Sequence, residues 1–283
     1  MVNLNMGDTL ARAVTSVASQ LDHRFEIIIV DGGSSDNSVD EILKLQQKFP
    51  FIILHELPPD KNRRIGQDRN ISVELAQGQY VLLNIDCDDF YDSHILDWIS
   101  CFHFIETINP EPMLVSGKQI NMLSKKLFWE LGGYNNIRFE DRDLWMRSAS
   151  VGKWVSWKHK SFVTRMPRNK KQVFYKNFIE NAHGVISDYQ HGLRFWQMMS
   201  IRTHEFFKSP SFNAVIKLVY APIFLPISFF YKNLREKHHF DPVSFSRFHK
   251  ENTKSLCEIT GLEKNAISIE FLNAHSRKIF LEE

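Results

Sequence analysis

The sequence has little cysteine. Cys87, Cys101 and Cys257 lie far apart and are odd in number, so they build neither a disulfide framework nor a zinc knuckle, and a reducing compartment is the simplest reading. Glycine (12) and proline (10) are sparse over 283 residues, which excludes collagen-like repeats and low-complexity linkers. No internal repeat and no secretory leader pattern is read. The uncharged run at 218–231 has 14 residues and is broken by Pro222 and Pro226; a spanning helix needs about 20. Acid is also missing from one long stretch. Between Asp143 and Glu180 there is none, against nine Lys or Arg.

What is present is ordinary globular material: 43% hydrophobic and 24% charged residues, with aromatics high at 13%. The net charge of +2 hides an asymmetry. Residues 1–143 carry 22 acids against 13 Lys or Arg, and residues 144–283 carry 11 against 22. Two halves of opposite sign suggest two jobs. An acidic half can hold a metal; a basic half can face phosphate, an anionic membrane or nucleic acid.

The first half alternates strand and helix patterns. Residues 8–21 read as a helix capped by Asp8, and 25–30 as a buried strand. Ser38-x-x-Glu41 reads as a capping box opening a helix to Phe49, followed by a strand at 51–57, a helix at 67–76 and a strand at 80–85. Further on come a helix at 93–106, a strand at 113–117, helices at 124–131 and 140–149, and short strands at 154–157 and 161–164. This order predicts a mostly parallel α/β sheet with helices on both faces. In such sheets ligands bind beyond the carboxyl ends of the strands. Asp31 and the run Asp86, Asp88, Asp89 fall at those ends.

Three constellations carry chemistry. Asp86-Cys87-Asp88 ends a strand: one carboxylate can bond a sugar hydroxyl while the other holds a hard cation, Mg2+ or Mn2+. By spacing alone it is equally an acidic turn. Asp31-Gly32-Gly33-Ser34-Ser35-Asp36 joins a strand to a helix through small polar residues, where backbone amides can approach a ligand; alone it is an ordinary connection. Glu140-Asp141 opens a helix after Gly132-Gly133-Tyr134. Acids there balance the helix dipole, and a carboxylate in that place can also take a proton from an acceptor hydroxyl.

Together and in this order, these segments resemble family 2 glycosyltransferases of the GT-A fold. The resemblance covers residues 1–165. Val30-Asp31-Gly32-Gly33-Ser34-Ser35-Asp36 is similar to that family's V-D-D-G-S-x-D, Asp68-Arg69-Asn70 with Ala76-x-Gly78 to its A-R-N…A-x-G, and Ile85-Asp86-Cys87-Asp88-Asp89 to its L-D-A-D-D. Gly132-Gly133-Tyr134 with Glu140-Asp141-x-Asp143-Leu144-Trp145 is similar to G-G-F…E-D-x-D-L-W. The resemblance implies an inverting, metal-dependent, hexosyltransferase-type enzyme that uses a nucleotide-diphosphate sugar. It implies that Asp31 meets the base, Arg69 lies near the nucleotide or its diphosphate, Asp86 meets ribose or sugar, and Asp88 holds the metal. It implies Asp141, beside Glu140, as the general base.

Three departures qualify it. The family's first strand ends in P-x-Y-N, and Val2-Asn3-Leu4-Asn5 matches only its last residues. Asn3 and Asn5 would be the surviving base contacts. Four or five apolar residues ahead of them are missing, so a start upstream of Met1 is expected; a missing central strand would cost packing and leave ladder groups unpaired. Gly32 replaces the family's second Asp. No Q-x-x-R-W motif follows the base; Gln190 to Trp196 is a loose echo, so transfer of a single sugar is expected rather than processive synthesis.

Residues 166–283 read as a basic, aromatic, mainly helical region, with 240–283 an accessory tail. Its basic run, Lys153 to Lys176, suits the phosphates of a lipid-linked acceptor or an anionic bilayer, or is a solvated face. The run at 218–231, flanked by Lys208, Lys217, Lys232, Arg235 and Lys237, reads equally as core packing or as a helix lying in a membrane interface. His183 and His191 are late histidines of the kind some GT-A enzymes bring to the metal. The expectation is a cytoplasmic enzyme, peripheral on the cytosolic face of a membrane, acting on a lipid-linked or envelope glycan and on no nucleic acid. The alternatives are a non-catalytic glycosyltransferase-like subunit and a sugar nucleotidyltransferase, which would carry a Gly-rich basic loop that is not seen here.

Overall fold

Apolar runs at the predicted periods set the elements of the first half. A computed structural model of the chain describes residues 1–167, 170–228, 240–264, 267 and 272–281. In order it has β1 (Val2–Asn3), α1 (Gly7–Ala18), β2 (Ile27–Asp31), α2 (Ser38–Lys48), β3 (Ile52–Glu56), α3 (Ile65–Leu75), β4 (Tyr80–Leu83), β5 (Asp89–Tyr91), α4 (Ile95–Ile108), β6 (Leu114–Ser116), β7 (Asn121–Ser124) and α5 (Lys125–Glu130). There follow α6 (Glu140–Ser150), β8 (Trp154–Trp157), β9 (Val163–Arg165), α7 (Lys170–Gln190), α8 (Phe195–Lys208), α9 (Phe212–Ser228), α10 (Pro242–Asn252), β10 (Thr253–Lys254), α11 (Leu256–Thr260) and α12 (Ala274–Phe280).

The chain divides into two compact units, and not at residue 165. One comprises residues 1–136, 151–166 and 252–283; the other comprises 137–150 and 167–251. The stretch read as an accessory tail therefore contributes to the first unit. The reason lies in its pairing and packing. β10 extends the sheet by pairing in parallel with β8, and Leu256, Leu272, Ile279 and Phe280 join the main core with Trp98, Phe102 and Trp157. Their apolar side chains are spaced too irregularly to announce this from the sequence.

In the first unit, β1, β2 and β3 form a parallel sheet, and β10, β8, β6, β7 and β4 a second, in which only β7 runs against its neighbours. β2 is buried along its whole length, as an apolar run between two helix layers requires. The helix starts differ from the reading. Neither Asp8 nor Ser38 caps its own helix. Instead the Gly7 N–H donates to Asp36 Oδ2 (2.9 Å) and the Met6 N–H to the Ser38 hydroxyl (3.1 Å), so the loop after β2 caps α1 across the sheet end. A Cβ at Gly7 would stand 2.0 Å from Asn37 Oδ1, so a larger residue there would displace the Asn37 side chain.

The first strand is two residues long. β1 pairs with β2 only through Val2 with Val30 and Asn3 with Asp31. On its line, between β2 and β4, lies a cavity of about 950 Å3 whose lining includes Ile27, Ile28, Val73, Val81, Leu83 and Ile99. The Met1 ammonium donates to the Ile28 carbonyl (2.7 Å), and burial pushes its pKa down.

In the second unit, Val185, Tyr189, Leu193, Met198, Ile216, Tyr220 and Ala221 of α7, α8 and α9 form a separate core. α9 thus buries one face, but against α7 and α8 of the second unit and not in the core of residues 1–165. Its other face leaves Phe212, Val215, Val219 and Ile223 exposed. Among the described residues no helix is long and apolar enough to cross a membrane. Residues 229–231, Lys232, Arg235 and Lys237 lie outside the described residues.

The cavity generates a prediction. Each buried β-branched side chain contributes roughly 1.5–3 kcal/mol against about 1–2 kcal/mol for ordering its backbone. A variant carrying five Ile/Val residues ahead of Met1, continuing the Val2–Val30 register, should melt higher by on the order of 5 °C. An unchanged or lower melting temperature would mean that the space does not accept a strand.

Candidate active site

Three groups of side chains sit where the sequence places its motifs, two of them in the first unit. At the carboxyl ends of β1 and β2, Asp31 is 1% exposed. Its Oδ1 accepts from the N–H groups of Gly33 (3.0 Å) and Ser34 (2.7 Å), and its Oδ2 from Asn3 Nδ2 (2.6 Å) and the Ser34 hydroxyl (2.6 Å). Asn5, at a positive φ of 52°, donates its N–H to the Ser34 hydroxyl, and its Oδ1 accepts the Ser35 N–H (both 2.8 Å). Asn3, Asn5 and Asp31 are thus brought together, with Asp31 as the anchor of the loop. Gly32 stands against Asp68 and Arg63: a Cβ would lie 3.3 Å from Asp68 Oδ2. Arg63 pairs with Asp68 at 2.7 Å and donates to the Gly32 carbonyl. A guanidinium and a carboxylate thus lie beside the position where the family has its second Asp.

The second group lies just beyond β4. Asn84 turns the chain at φ 63°, and Asp86, Asp88 and Asp89 follow. Asp88 and Asp89 are buried and Asp86 is half-buried. Arg69, on α3, holds Asp86 Oδ1 at 3.0 Å and lies over the Tyr134 ring. Its neighbour Asn70 bonds the Tyr134 backbone both ways (2.9 and 2.8 Å), which ties the Gly132-Gly133-Tyr134 turn to α3. Tyr134 in turn donates its hydroxyl to Asn84 (3.1 Å). Gly133, at φ 62°, has no room for a Cβ against Asn70 and Trp129.

Arg165 completes this group, and the sequence reading missed it. β9 pairs with β5 so that Arg165 faces Asp89. Its Nε and Nη2 hold the Asp89 carboxylate (2.8 and 3.1 Å), Nη2 reaches Asp86 Oδ2 (3.3 Å) and Nη1 lies 3.4 Å from Asp88 Oδ2. Burial pulls the Arg165 pKa down, but the bond to Asp89 and the charges of all three carboxylates outweigh it and raise it. Burial also pushes the Asp89 carboxyl up, against the pull of Arg165. The one sequence signal was indirect. Arg165 belongs to the acid-free basic run, which was read toward phosphate or a bilayer and not toward the chain's own acids.

The third group belongs to the second unit. Phe139, at φ 60°, turns the chain into α6, whose first turn holds Glu140, Asp141 and Asp143. Glu140 is buried and Asp141 half-buried. Asp143 is fully buried between Arg147 (2.8 Å) and His191 Nε2 (3.4 Å), while His191 Nδ1 bonds the Ser187 carbonyl (2.7 Å). His191, offered above as a metal ligand, is thus engaged inside its own helical unit.

A hard cation suits the β4 end. Its donors are carboxylate oxygens, Asp88 is buried there, and a guanidinium already stands where positive charge is needed. Among the described residues no group of three or more His, Cys, Asp or Glu is gathered to hold a metal ion. A cation here would draw its remaining ligands from a diphosphate and water, as Mg2+ and Mn2+ commonly do.

Residues 1–99 match the family described as glycosyl transferase family 2. An undecaprenyl-phosphate 4-deoxy-4-formamido-L-arabinose transferase of Pseudomonas syringae is 36% identical over 85 residues, 28% of this chain and 23% of that protein. The chain spans less than a third of the length of the curated relatives it matches. Among solved structures, S. aureus TarS 1–349 in complex with UDP-GlcNAc aligns with a TM-score of 0.52 at 14% identity, over 78% of this chain and 77% of that one. The mannosyltransferase PcManGT from Pyrobaculum calidifontis, in complex with GDP-Man and Mn2+, aligns with a TM-score of 0.50 at 12% identity, over 92% of this chain and 76% of that one. The chain carries the GT-A fold, and its first 99 residues match the family described as glycosyl transferase family 2.

Proposed function

We propose that the protein is an inverting glycosyltransferase that moves a single sugar from a nucleotide-diphosphate sugar to an acceptor hydroxyl on a lipid-linked or envelope glycan. The observation that carries this reading is the β4 end, where buried Asp88 and half-buried Asp86 meet the guanidiniums of Arg69 and Arg165 within a family 2 segment. A GT-A neighbour binds GDP-Man with Mn2+, and another binds UDP-GlcNAc, which supports a nucleotide-sugar donor here.

Each residue then has a task. Asn3, Asn5 and Asp31 hold the base; a base N–H takes over from the Ser34 hydroxyl, which can rotate away from Asp31 Oδ2. Asp86 bonds a ribose or sugar hydroxyl, and Arg69 lies against the diphosphate. Asp88 holds Mg2+ or Mn2+, which when bound neutralises charge on the departing diphosphate. Asp141, flanked by Glu140, takes the proton of the acceptor hydroxyl. The acceptor oxygen bonds the anomeric carbon on the face opposite the diphosphate, the bond from that carbon to the diphosphate oxygen breaks, and its electron pair leaves with the diphosphate. Attack from the opposite face inverts the centre.

The acceptor side fits a membrane surface. The outward stripe of α9 (Phe212, Val215, Val219, Ile223) is apolar and exposed, and it suits a peripheral position on the cytosolic face of an anionic bilayer. The relative that acts on undecaprenyl-phosphate supports a lipid-linked substrate.

Two predictions follow from this assignment. In a panel of UDP-, GDP- and dTDP-sugars with Mn2+, Asp88→Ala should lose metal-dependent nucleotide binding. Asp141→Asn should keep that binding and lower turnover by roughly a hundred- to ten-thousand-fold. Undiminished turnover in both variants would overturn the assignment. For the membrane face, the protein should co-sediment with phosphatidylglycerol-rich vesicles at low salt, and Val219→Glu with Ile223→Glu should abolish this. Failure of the unaltered protein to co-sediment would remove the bilayer from the account.

A further inference from the structure

Asp86, Asp88 and Asp89 bring three carboxylates to one strand end. Two of them are buried, at 1% and 2% exposure. Buried carboxylates in such proximity need positive charge beside them. The chain supplies it from two directions. Arg69 takes the inner oxygen of Asp86, and Arg165 spans the other oxygen of Asp86, one oxygen of Asp88 and both of Asp89. The contacts of Arg165 are unequal. Its Nε and Nη2 fork onto Asp89 at 2.8 and 3.1 Å, whereas Nη1 lies 3.4 Å from Asp88 Oδ2. The backbone fixes the base of this arm, since Arg165 faces Asp89 across β5 and β9 and the Met166 N–H donates to the Asp88 carbonyl at 2.8 Å. The side chain itself is 60% exposed, so the edge of the guanidinium carrying Nη1 is open to an incoming anion while the fork on Asp89 persists.

We propose that Arg165 is the resident counter-cation of this site: it holds Asp88 until a divalent cation takes over, and then turns its freed Nη1 edge to the diphosphate of the donor. The inference rests on the reading of Asp88 as the metal-holding residue. A cation on Asp88 needs an oxygen at about 2.1 Å; at Oδ2, which Arg165 Nη1 faces at 3.4 Å, the two positive groups would compete for it. With the metal alone, the displaced guanidinium edge meets a like charge and has no new partner. With the diphosphate present, it exchanges a carboxylate for phosphate oxygens, which a guanidinium binds equally well. Arg165 therefore makes metal binding and nucleotide binding depend on each other. It suppresses the metal without nucleotide and rewards the two together, and by linkage each must strengthen the other by the same factor.

The test titrates Mn2+ alone, UDP or GDP alone, and each in the presence of the other, by calorimetry on the full chain, for the unaltered protein, Arg165→Gln and Arg165→Lys. Arg165→Gln should bind Mn2+ alone about tenfold more tightly, and the factor by which Mn2+ strengthens nucleotide binding should fall at least about fivefold. Arg165→Lys keeps a charge but loses the fork, so it should lie between the two. It also serves as the reading if Arg165→Gln melts far below the unaltered protein. Mn2+ affinity in either folded variant that is unchanged or weaker, with the coupling factor intact, would overturn the proposal and reduce Arg165 to a structural clamp. The two readings fail separately. Mn2+-dependent nucleotide binding that ignores Arg165 would sink only this inference. A shift in Mn2+ affinity without turnover of any nucleotide sugar would sink only the transferase reading. Absence of Mn2+ binding in all three proteins, with nucleotide or without, would sink both.

Discussion

Three carboxylates gathered at the end of β4 are the constraint on which the first unit depends. Asp86, Asp88 and Asp89 stand where a sheet protein has little water to offer, and isolated buried charge is costly. The surrounding elements are arranged to answer that cost. α3 delivers Arg69, and β9 crosses back to β5 and delivers Arg165. Asn84 and the Tyr134 hydroxyl hold the turn between them. Arg165 comes from a segment more than seventy residues downstream of the acids it serves.

The same logic organises the neighbouring loop. Asp31 ends a strand that is wholly buried and spends both oxygens on Asn3, Gly33 and Ser34. It fixes the turn before it meets any ligand. Asp36 and Ser38 then accept from the backbone at the start of α1, so two helices begin at one place. Strand ends and helix starts supply fixed dipoles at no cost in reorganisation, which is what a charged leaving group requires.

Much of this was legible in the sequence because it is local. The run Phe25 to Asp31 announces a buried strand by its β-branched residues, and the D-x-D beyond β4 is a contiguous signal. Other features depend on pairing across the chain and leave no local trace. Arg165 looked like one more cation in an acid-free stretch. Ser38 looked like a cap for its own helix, whereas its hydroxyl serves Met6. The residues from 252 onward looked like a tail because β10 is only two residues long and its partner β8 lies about a hundred residues earlier. The run at 218–231 reads as broken by Pro222 and Pro226, yet α9 continues through both; its two faces explain why core packing and interfacial exposure both fit, since one face is buried against α7 and α8 and the other is bare.

The central claim is that the β4 end grips a metal-bound diphosphate. Anomalous diffraction from crystals grown with Mn2+ and UDP or GDP tests it most directly. The account predicts a manganese peak about 2.1 Å from an Asp88 carboxylate oxygen, phosphate oxygens on the other side of the ion, and the base beside Asp31. A nucleotide bound away from residues 31, 69 and 86, or manganese held by other side chains, would contradict it.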